Sequence, residues 1–214
     1  MADFRWSFTK LKKYEKCPFA YKCRYELKLP DPSGKAAQRG TDMHDISERF
    51  VKGELAELPS DFNHTNYIVG FKERKADTEK EFYFDNTWEL TDKESYWCMM
   101  KLDVVEVQGN IVTVWDYKSG KFYPDHYDQL MFYGMGALLA YPEAYQVLTG
   151  AIYIDQPATF PVQRTQIREQ LPSLKEHYEN RLDVLLNDDK FEPVAGKHCL
   201  WCNYSKKKGG PCRY

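Results

Sequence analysis

The stretch that most restricts the fold is Lys101-Leu-Asp103-Val-Val-Glu-Val-Gln108, Gly109-Asn110, Ile111-Val-Thr-Val-Trp-Asp116-Tyr-Lys118. Two runs rich in β-branched residues flank a Gly-Asn pair, which predicts an antiparallel hairpin with 109 and 110 as its two-residue loop. In that register Gln108 faces Ile111, Val107 faces Val112 and Val105 faces Val114. The next pair on the same face is Asp103 opposite Asp116, with Lys118 two residues further along. Directly opposed side chains have Cβ atoms about 5 Å apart, where like charges destabilise the ladder. At the end of a valine-lined face, either one carboxylate takes up a proton or a cation sits between the two. Mg²⁺ suits such a place, because it binds one or two carboxylates together with phosphate and water. A lysine beside them fits phosphate chemistry, stabilising developing charge or orienting the attacking water. The same register sets Lys101 opposite Lys118, an arrangement that favours a neutral lysine base.

Composition bounds the rest. A chain of 214 residues that is 43% apolar and 15% aromatic has the length of one ordinary domain and enough apolar surface for a core, which excludes wholesale disorder. The longest mainly apolar run, Met131 to Tyr141, is broken by two glycines and falls short of the ~20 residues of a membrane span. Met1-Ala-Asp-Phe-Arg-Trp6 carries no apolar leader core, so the expected location is cytoplasmic, the host cytoplasm if the source is a phage. A net charge of −2 argues, taken alone, against a nucleic-acid partner. The charges are segregated, however. Residues 1–39 sum to +6 and residues 197–214 to +5, leaving −13 in the middle.

Six cysteines cluster at the same basic ends: Cys17 and Cys23, then Cys199, Cys202 and Cys212, with Cys98 between. In a reducing compartment a disulfide framework is not expected. Cys199-Leu-Trp-Cys202 followed by Cys212 has the spacing of metal or iron–sulfur ligation, with Cys17 or Cys23 as the source of a fourth ligand. Periodicity predicts helices over 8–24 (capped by Ser7), 36–52, 66–77, 125–141 and 169–187. Strands are predicted over 81–84, 96–108, 111–118, 147–154 and 163–167. The order is α/β, with one mixed sheet carrying helices.

Asp103, twelve intervening residues and Asp116-Tyr-Lys118 resemble the core motif of the PD-(D/E)XK nucleases. Further motifs resemble the RecB-like exonucleases of that superfamily, including CRISPR-associated and phage-encoded ones. Gly40-Thr-Asp-Met-His44 is similar to their GxxxH helix, Trp115-Asp-Tyr-Lys-Ser-Gly120 to their catalytic strand, and Gln129-Leu-Met-Phe-Tyr133 to their QxxxY helix. The segment around Cys17 looks like their N-terminal cysteine element, and Cys199, Cys202 and Cys212 like their C-terminal trio. The resemblance spans residues 7–214 and implies a restriction-endonuclease-like αβββαβ core. It implies one nuclease domain with an N-terminal helix (1–35), a core (36–190) and a C-terminal cysteine segment (191–214).

The resemblance also assigns roles. His44, Asp103 and Asp116 would hold Mg²⁺ or Mn²⁺, Lys118 would be the catalytic lysine, and Gln129 and Tyr133 would share one helix face reaching the site. Glu81 loosely matches a glutamate on the family's first strand, and Asp155 reads as a turn residue. Cys17, Cys199, Cys202 and Cys212 would hold a [4Fe–4S] cluster. The alternative is structural Zn²⁺ on Cys17, Cys23, Cys199 and Cys202. Lys101 departs from the family, which often has glycine there, and the nine-residue gap before Cys212 is longer than usual. The expected function is a metal-dependent DNA exonuclease acting on single strands or free ends in recombination, repair or phage DNA metabolism. Lys206, Lys207 and Lys208 would contact the nucleic acid. The alternative is a nuclease-like DNA-binding module of a recombination or packaging complex, without cleavage. Neither a membrane nor a small-molecule substrate is expected.

Overall fold

A computed structural model of the chain describes residues 4–214; residues 1–3, where the reading of a leader begins, lie outside the described residues. In chain order the elements are α1 (Phe8–Lys16), α2 (Pro18–Tyr21), a π-helical turn (Lys22–Glu26), α3 (Lys35–Val51) and α4 (Thr65–Arg74). Then follow β1 (Asp77–Phe84), β2 (Cys98–Gln108), β3 (Ile111–Lys118), α5 (Asp125–Ala140), β4 (Gln146–Tyr153), β5 (Val162–Ile167) and α6 (Leu171–Leu186). No helix among the described residues is long and apolar enough to cross a membrane. The described chain forms two compact units, one of residues 4–5 and 35–174, the other of 6–34 and 175–214.

The first unit holds a five-stranded mixed sheet in the order β1-β2-β3-β4-β5. Only β3 and β4 run parallel, joined by the α5 crossover that a parallel pair requires. The predicted hairpin register is observed: Gln108 pairs with Ile111, Val107 with Val112 and Val105 with Val114. Gly109 adopts φ 60°, as the first position of a type II′ turn demands. On one face Val104, Trp115, Tyr117, Ile152 and Ile154 pack against Met43 and Phe50 of α3 and Ile68 and Phe71 of α4. The opposite face carries α5 at close range. A Cβ on Gly134 would stand 2.4 Å from the Gln166 amide, and one on Gly136 would stand 2.0 Å from Met100 Sδ. The two glycines that interrupt the apolar run therefore set how near α5 lies to the strands.

The second unit is built from α1, α2, the π turn and most of α6. The single helix expected over 8–24 is interrupted, because Pro18 lacks an N–H and disfavours helical backbone before it. Cys17 is accordingly extended, with φ −165° and ψ 104°. Ser7 occupies the N-cap position of α1, although its side chain makes no capping hydrogen bond. Tyr14 donates to Asp188 at 2.9 Å, and the Tyr21 and Phe191 rings stack. Asp31 accepts from Lys13 and, at 2.7 Å, from Asn203, with Arg24 at 3.3 Å. This unit carries fifteen Lys/Arg against nine Asp/Glu, and the other fifteen against twenty-two. The basic ends of the chain thus share one unit.

Candidate active site

The hairpin ladder stops at Val104–Trp115, one pair short of the two aspartates. At that point the Asp103 side chain replaces the backbone acceptor, and its Oδ2 takes the Tyr117 N–H at 2.7 Å. Both carboxylates are nearly sealed from solvent, Asp103 at 7% and Asp116 at 2% exposure. No ladder pair joins Lys101 to Lys118. Each lysine instead meets its own carboxylate, Lys101 at Glu79 and Lys118 at Asp116. The expected face-to-face ammonium pair is therefore corrected, since the ladder that would have opposed them ends first.

α3 brings His44 to this opening. Gly40, one helical turn earlier, lies where a Cβ would be 3.0 Å from Ser119 Oγ, so the glycine lets α3 approach the chain just beyond Lys118. His44 Nδ1 lies 3.3 Å from Asp103 Oδ2, and its ring meets the Tyr117 ring edge-on. Burial disfavours the imidazolium, but the hydrogen bond and charge of Asp103, with the charge of Asp116, outweigh it and raise the His44 pKa. Burial also raises the Asp116 pKa; Lys118 opposes that shift and Asp103 adds to it. Asp116 Oδ2 is buried and accepts no hydrogen bond of good geometry. The Lys118 ammonium is the cation that meets it.

Glu79 joins the site although its position in the sequence did not single it out. It has φ 53° inside β1, and the β1–β2 ladder skips the Glu79–Asp103 pair while pairing Thr78 with Val104 and Lys80 with Leu102. Ligand atoms of His44, Glu79 and Asp103 all lie within 4.8 Å of one another. Asp116 stands outside that trio, on the Lys118 side. Glu81 is a surface residue that accepts from Tyr83 and lies 3.8 Å from Lys93. One nitrogen and several hard carboxylate oxygens fit Mg²⁺ or Mn²⁺. Glu79, Asp103 and Asp116 face the Lys101 and Lys118 ammonium groups, and Asp45 and Glu48 also line the cleft, so acids outnumber lysines there.

On the other side Lys118 Nζ donates to Gln129 Oε1 at 2.7 Å, and Gln129 Nε2 donates to Tyr133 Oη at 2.7 Å. Burial pushes the Tyr133 hydroxyl well up, reinforced by Asp116 and Asp103, so it stays protonated. These groups line an open cleft of about 610 Å³, large enough for a phosphodiester and its flanking sugars. Asp155 is a turn organiser: its Oδ1 accepts the Gly120 N–H at 2.6 Å.

The cysteines are free thiols. Within the second unit Cys17 and Cys23 are buried together beside Cys202 and Tyr204. Burial raises the Cys23 pKa, and Cys202, Cys212 and Cys17 add to the rise. Soft thiol donors in such a group suit zinc or iron. Cys199 is not in that packed group, and its Sγ faces the Val194 carbonyl at 3.9 Å. Of the expected set, Cys17 and Cys202 pack with Cys23, and Cys212 acts on Cys23 through its charge. Cys98 is buried in β2. Lys206, Lys207 and Lys208 form an exposed 3₁₀ turn, in which Lys208 is tied to the Trp201 carbonyl at 3.0 Å.

A family model described as the PD-(D/E)XK nuclease superfamily matches residues 5–206. A solved structure described as "Crystal structure of SSO0001" is similar over 100% of this chain and 88% of its own, with a TM-score of 0.53 at 16% identity. That likeness is one of fold. No curated protein sequence matches.

Proposed function

The chain belongs to the PD-(D/E)XK nuclease superfamily, and from that premise we propose that it is a Mg²⁺- or Mn²⁺-dependent DNA exonuclease acting on single strands or free ends. The observation that carries this reading is the convergence of His44, Glu79 and Asp103 within 4.8 Å, next to an Asp116–Lys118–Gln129–Tyr133 chain. His44, Glu79 and Asp103, with Asp116 beside them, would hold a divalent ion, which would supply positive charge for the scissile phosphodiester and lower the pKa of bound water. Asp103 keeps one oxygen on the Tyr117 N–H and presents the other to the cleft. Gln129 and Asp116 each take one hydrogen of the Lys118 ammonium, which leaves the third for a phosphate oxygen, where charge builds up in phosphoryl transfer. Tyr133 holds the Gln129 amide in the orientation that offers its oxygen to Lys118. The pathway in this reading is recombination, repair or phage DNA metabolism.

Labelled single- and double-stranded DNA with Mg²⁺ or Mn²⁺ tests the reading. Progressive loss of label from an end is expected, abolished by EDTA and slowed at least ~100-fold by Lys118→Ala. Internal cuts alone would overturn the exonuclease assignment. DNA that stays intact, or loss unchanged in the variant, would overturn the enzyme.

The same reading extends to a structural [4Fe–4S] cluster held by Cys17, Cys202, Cys212 and Cys23, the last in the place expected for Cys199. Its support is the packing of buried Cys23 with Cys17 and Cys202, together with the charge that Cys212 exerts on it. Anaerobic purification should give coloured protein with iron and acid-labile sulfide, lost in Cys23→Ser and kept in Cys199→Ser. Colourless protein containing zinc would overturn it. Lys206, Lys207 and Lys208, in the positively charged second unit, would contact the DNA backbone, so binding should weaken steeply with salt despite the −2 total.

A further inference from the structure

Between β3 and α5 the chain leaves the cleft at Ser119 and returns to it at Gln129, both of which line its wall. The nine-residue path between them is unusually aromatic. Tyr123 is 51% exposed and Tyr127 36%, and each carries a cation over its ring: Lys121 lies 5.5 Å from the Tyr123 centroid and Arg164 5.6 Å from that of Tyr127. Neither ring is loose. Phe122 supports Tyr127 edge-on at 5.2 Å, and His126 meets Tyr123 at 5.7 Å. His126 in turn lies flat on Tyr153 and shares a 2.8 Å hydrogen bond with its hydroxyl. Burial, followed by the charge of Lys118, lowers the His126 pKa to about 4, so this support is a neutral ring near pH 7. The loop itself is pinned where Gly120, at φ 84°, donates to Asp155.

We propose that Tyr123 and Tyr127 form a stacking platform that takes two unpaired bases of a single-stranded end as its phosphate enters the cleft. The proposal rests on the nuclease reading and names the form of its substrate. An exposed, braced aromatic ring offers a flat face to any base, whereas the faces of paired bases are covered by their neighbours except at a terminus. Lys118, Lys121 and Arg164 give this corner positive charge within a unit that is acidic overall, which suits a phosphate backbone. The acids beside them, Asp125 and Asp128, sit in the first turn of α5, where the positive end of the helix offsets part of their charge. A protein partner would also accept an aromatic patch, but it would show no dependence on bases.

The test measures binding of the full-length protein by fluorescence anisotropy in Ca²⁺, which permits binding without fast turnover. The probes are a twelve-residue oligothymidylate, an abasic sugar–phosphate strand of equal length and a blunt duplex. Wild-type protein should bind oligothymidylate at least ~10-fold more tightly than the abasic strand. Tyr123→Ala and Tyr127→Ala should each weaken it by about 5- to 20-fold, the low end of what one stacked base contributes. The abasic strand and the duplex should be unaffected. Tyr123→Phe and Tyr127→Phe keep the ring and should bind like wild type. Equal binding of oligothymidylate and abasic strand by wild type, or equal losses on both in the alanine variants, overturns the platform and leaves the nuclease reading standing. Failure to bind any of the three probes overturns both.

Discussion

Glu79 offers the sharpest test, because it is two residues from Glu81 on the same strand and the two should differ completely. Glu79→Gln removes one of the carboxylates facing the Lys101 and Lys118 ammonium groups, so the negative charge that draws in a dication falls. It also deletes one of three ligand atoms lying within 4.8 Å. Even partners that only orient a metal ligand are worth 10–100-fold in affinity, so loss of a ligand should weaken Mn²⁺ by ~100-fold or more, about 2.7 kcal/mol. Glu81→Gln breaks only surface contacts with Lys93 and Tyr83. Such pairs contribute ~0–1 kcal/mol to stability and nothing to the cleft, so Mn²⁺ affinity should stay within about twofold. Titration calorimetry with Mn²⁺ on both variants decides the matter. A Glu79→Gln protein within threefold of wild type, or a Glu81→Gln protein equally impaired, would refute the ligand assignment. Glu79→Gly adds a second readout. Left-handed backbone at a non-glycine residue costs of order 1–3 kcal/mol, so this variant should lose metal yet melt no lower than wild type.

Gln129→Leu removes the acceptor of Lys118; turnover should fall about 10- to 100-fold with KM little changed, and Tyr133→Phe should follow with a smaller loss. The pKa of Asp31 is lowered: burial pulls upward, but the hydrogen bonds from Lys13 and Asn203 and the charges of Lys13 and Arg24 prevail. Its contribution is therefore present above the ordinary carboxylate range and is lost as pH falls through the depressed folded value. Asp31→Asn should cost about 1–2 kcal/mol at pH 7, a difference that closes once pH falls below the depressed folded value, read by chemical denaturation followed across pH. Gly150→Ala would set a Cβ 2.3 Å from the Trp115 ring, an overpacking worth ~1–3 kcal/mol, read as a melting temperature lower by roughly 2–10 °C.

Much of this site was legible because a two-residue turn fixes register by itself. Once Gly109-Asn110 is read as the loop, Asp103, Asp116 and Lys118 fall on one face without reference to the rest of the chain. Residues whose place depends on distant pairing were not legible. β1 meets β2 across thirteen intervening residues, so no short turn sets that register, and Asp77, Glu79 and Glu81 alternate alike in the sequence. What separates Glu79 from its neighbours is a backbone angle enforced by tertiary structure. The pairing of Lys101 with Lys118 failed for a different reason: the ladder was extended past a residue whose side chain takes over the backbone's hydrogen bond. Spacing likewise made Cys23 only the reserve for Cys212. Cys23 is carried by the π turn after Pro18, a distortion with no periodic signature.

The interrupted ladder at Asp103 makes the reaction centre a held-open seam between two strands. Repulsion between the two carboxylates keeps the seam from closing, and the Tyr117 amide bonded to the Asp103 side chain keeps it from opening further. A cation at this place would draw the edges together, so loading the site also fastens the end of the sheet. Catalytic readiness and the local rigidity of the hairpin are then governed by one ion. Exchange of the Tyr117 amide with solvent would register the same event that the cleft experiences as arming.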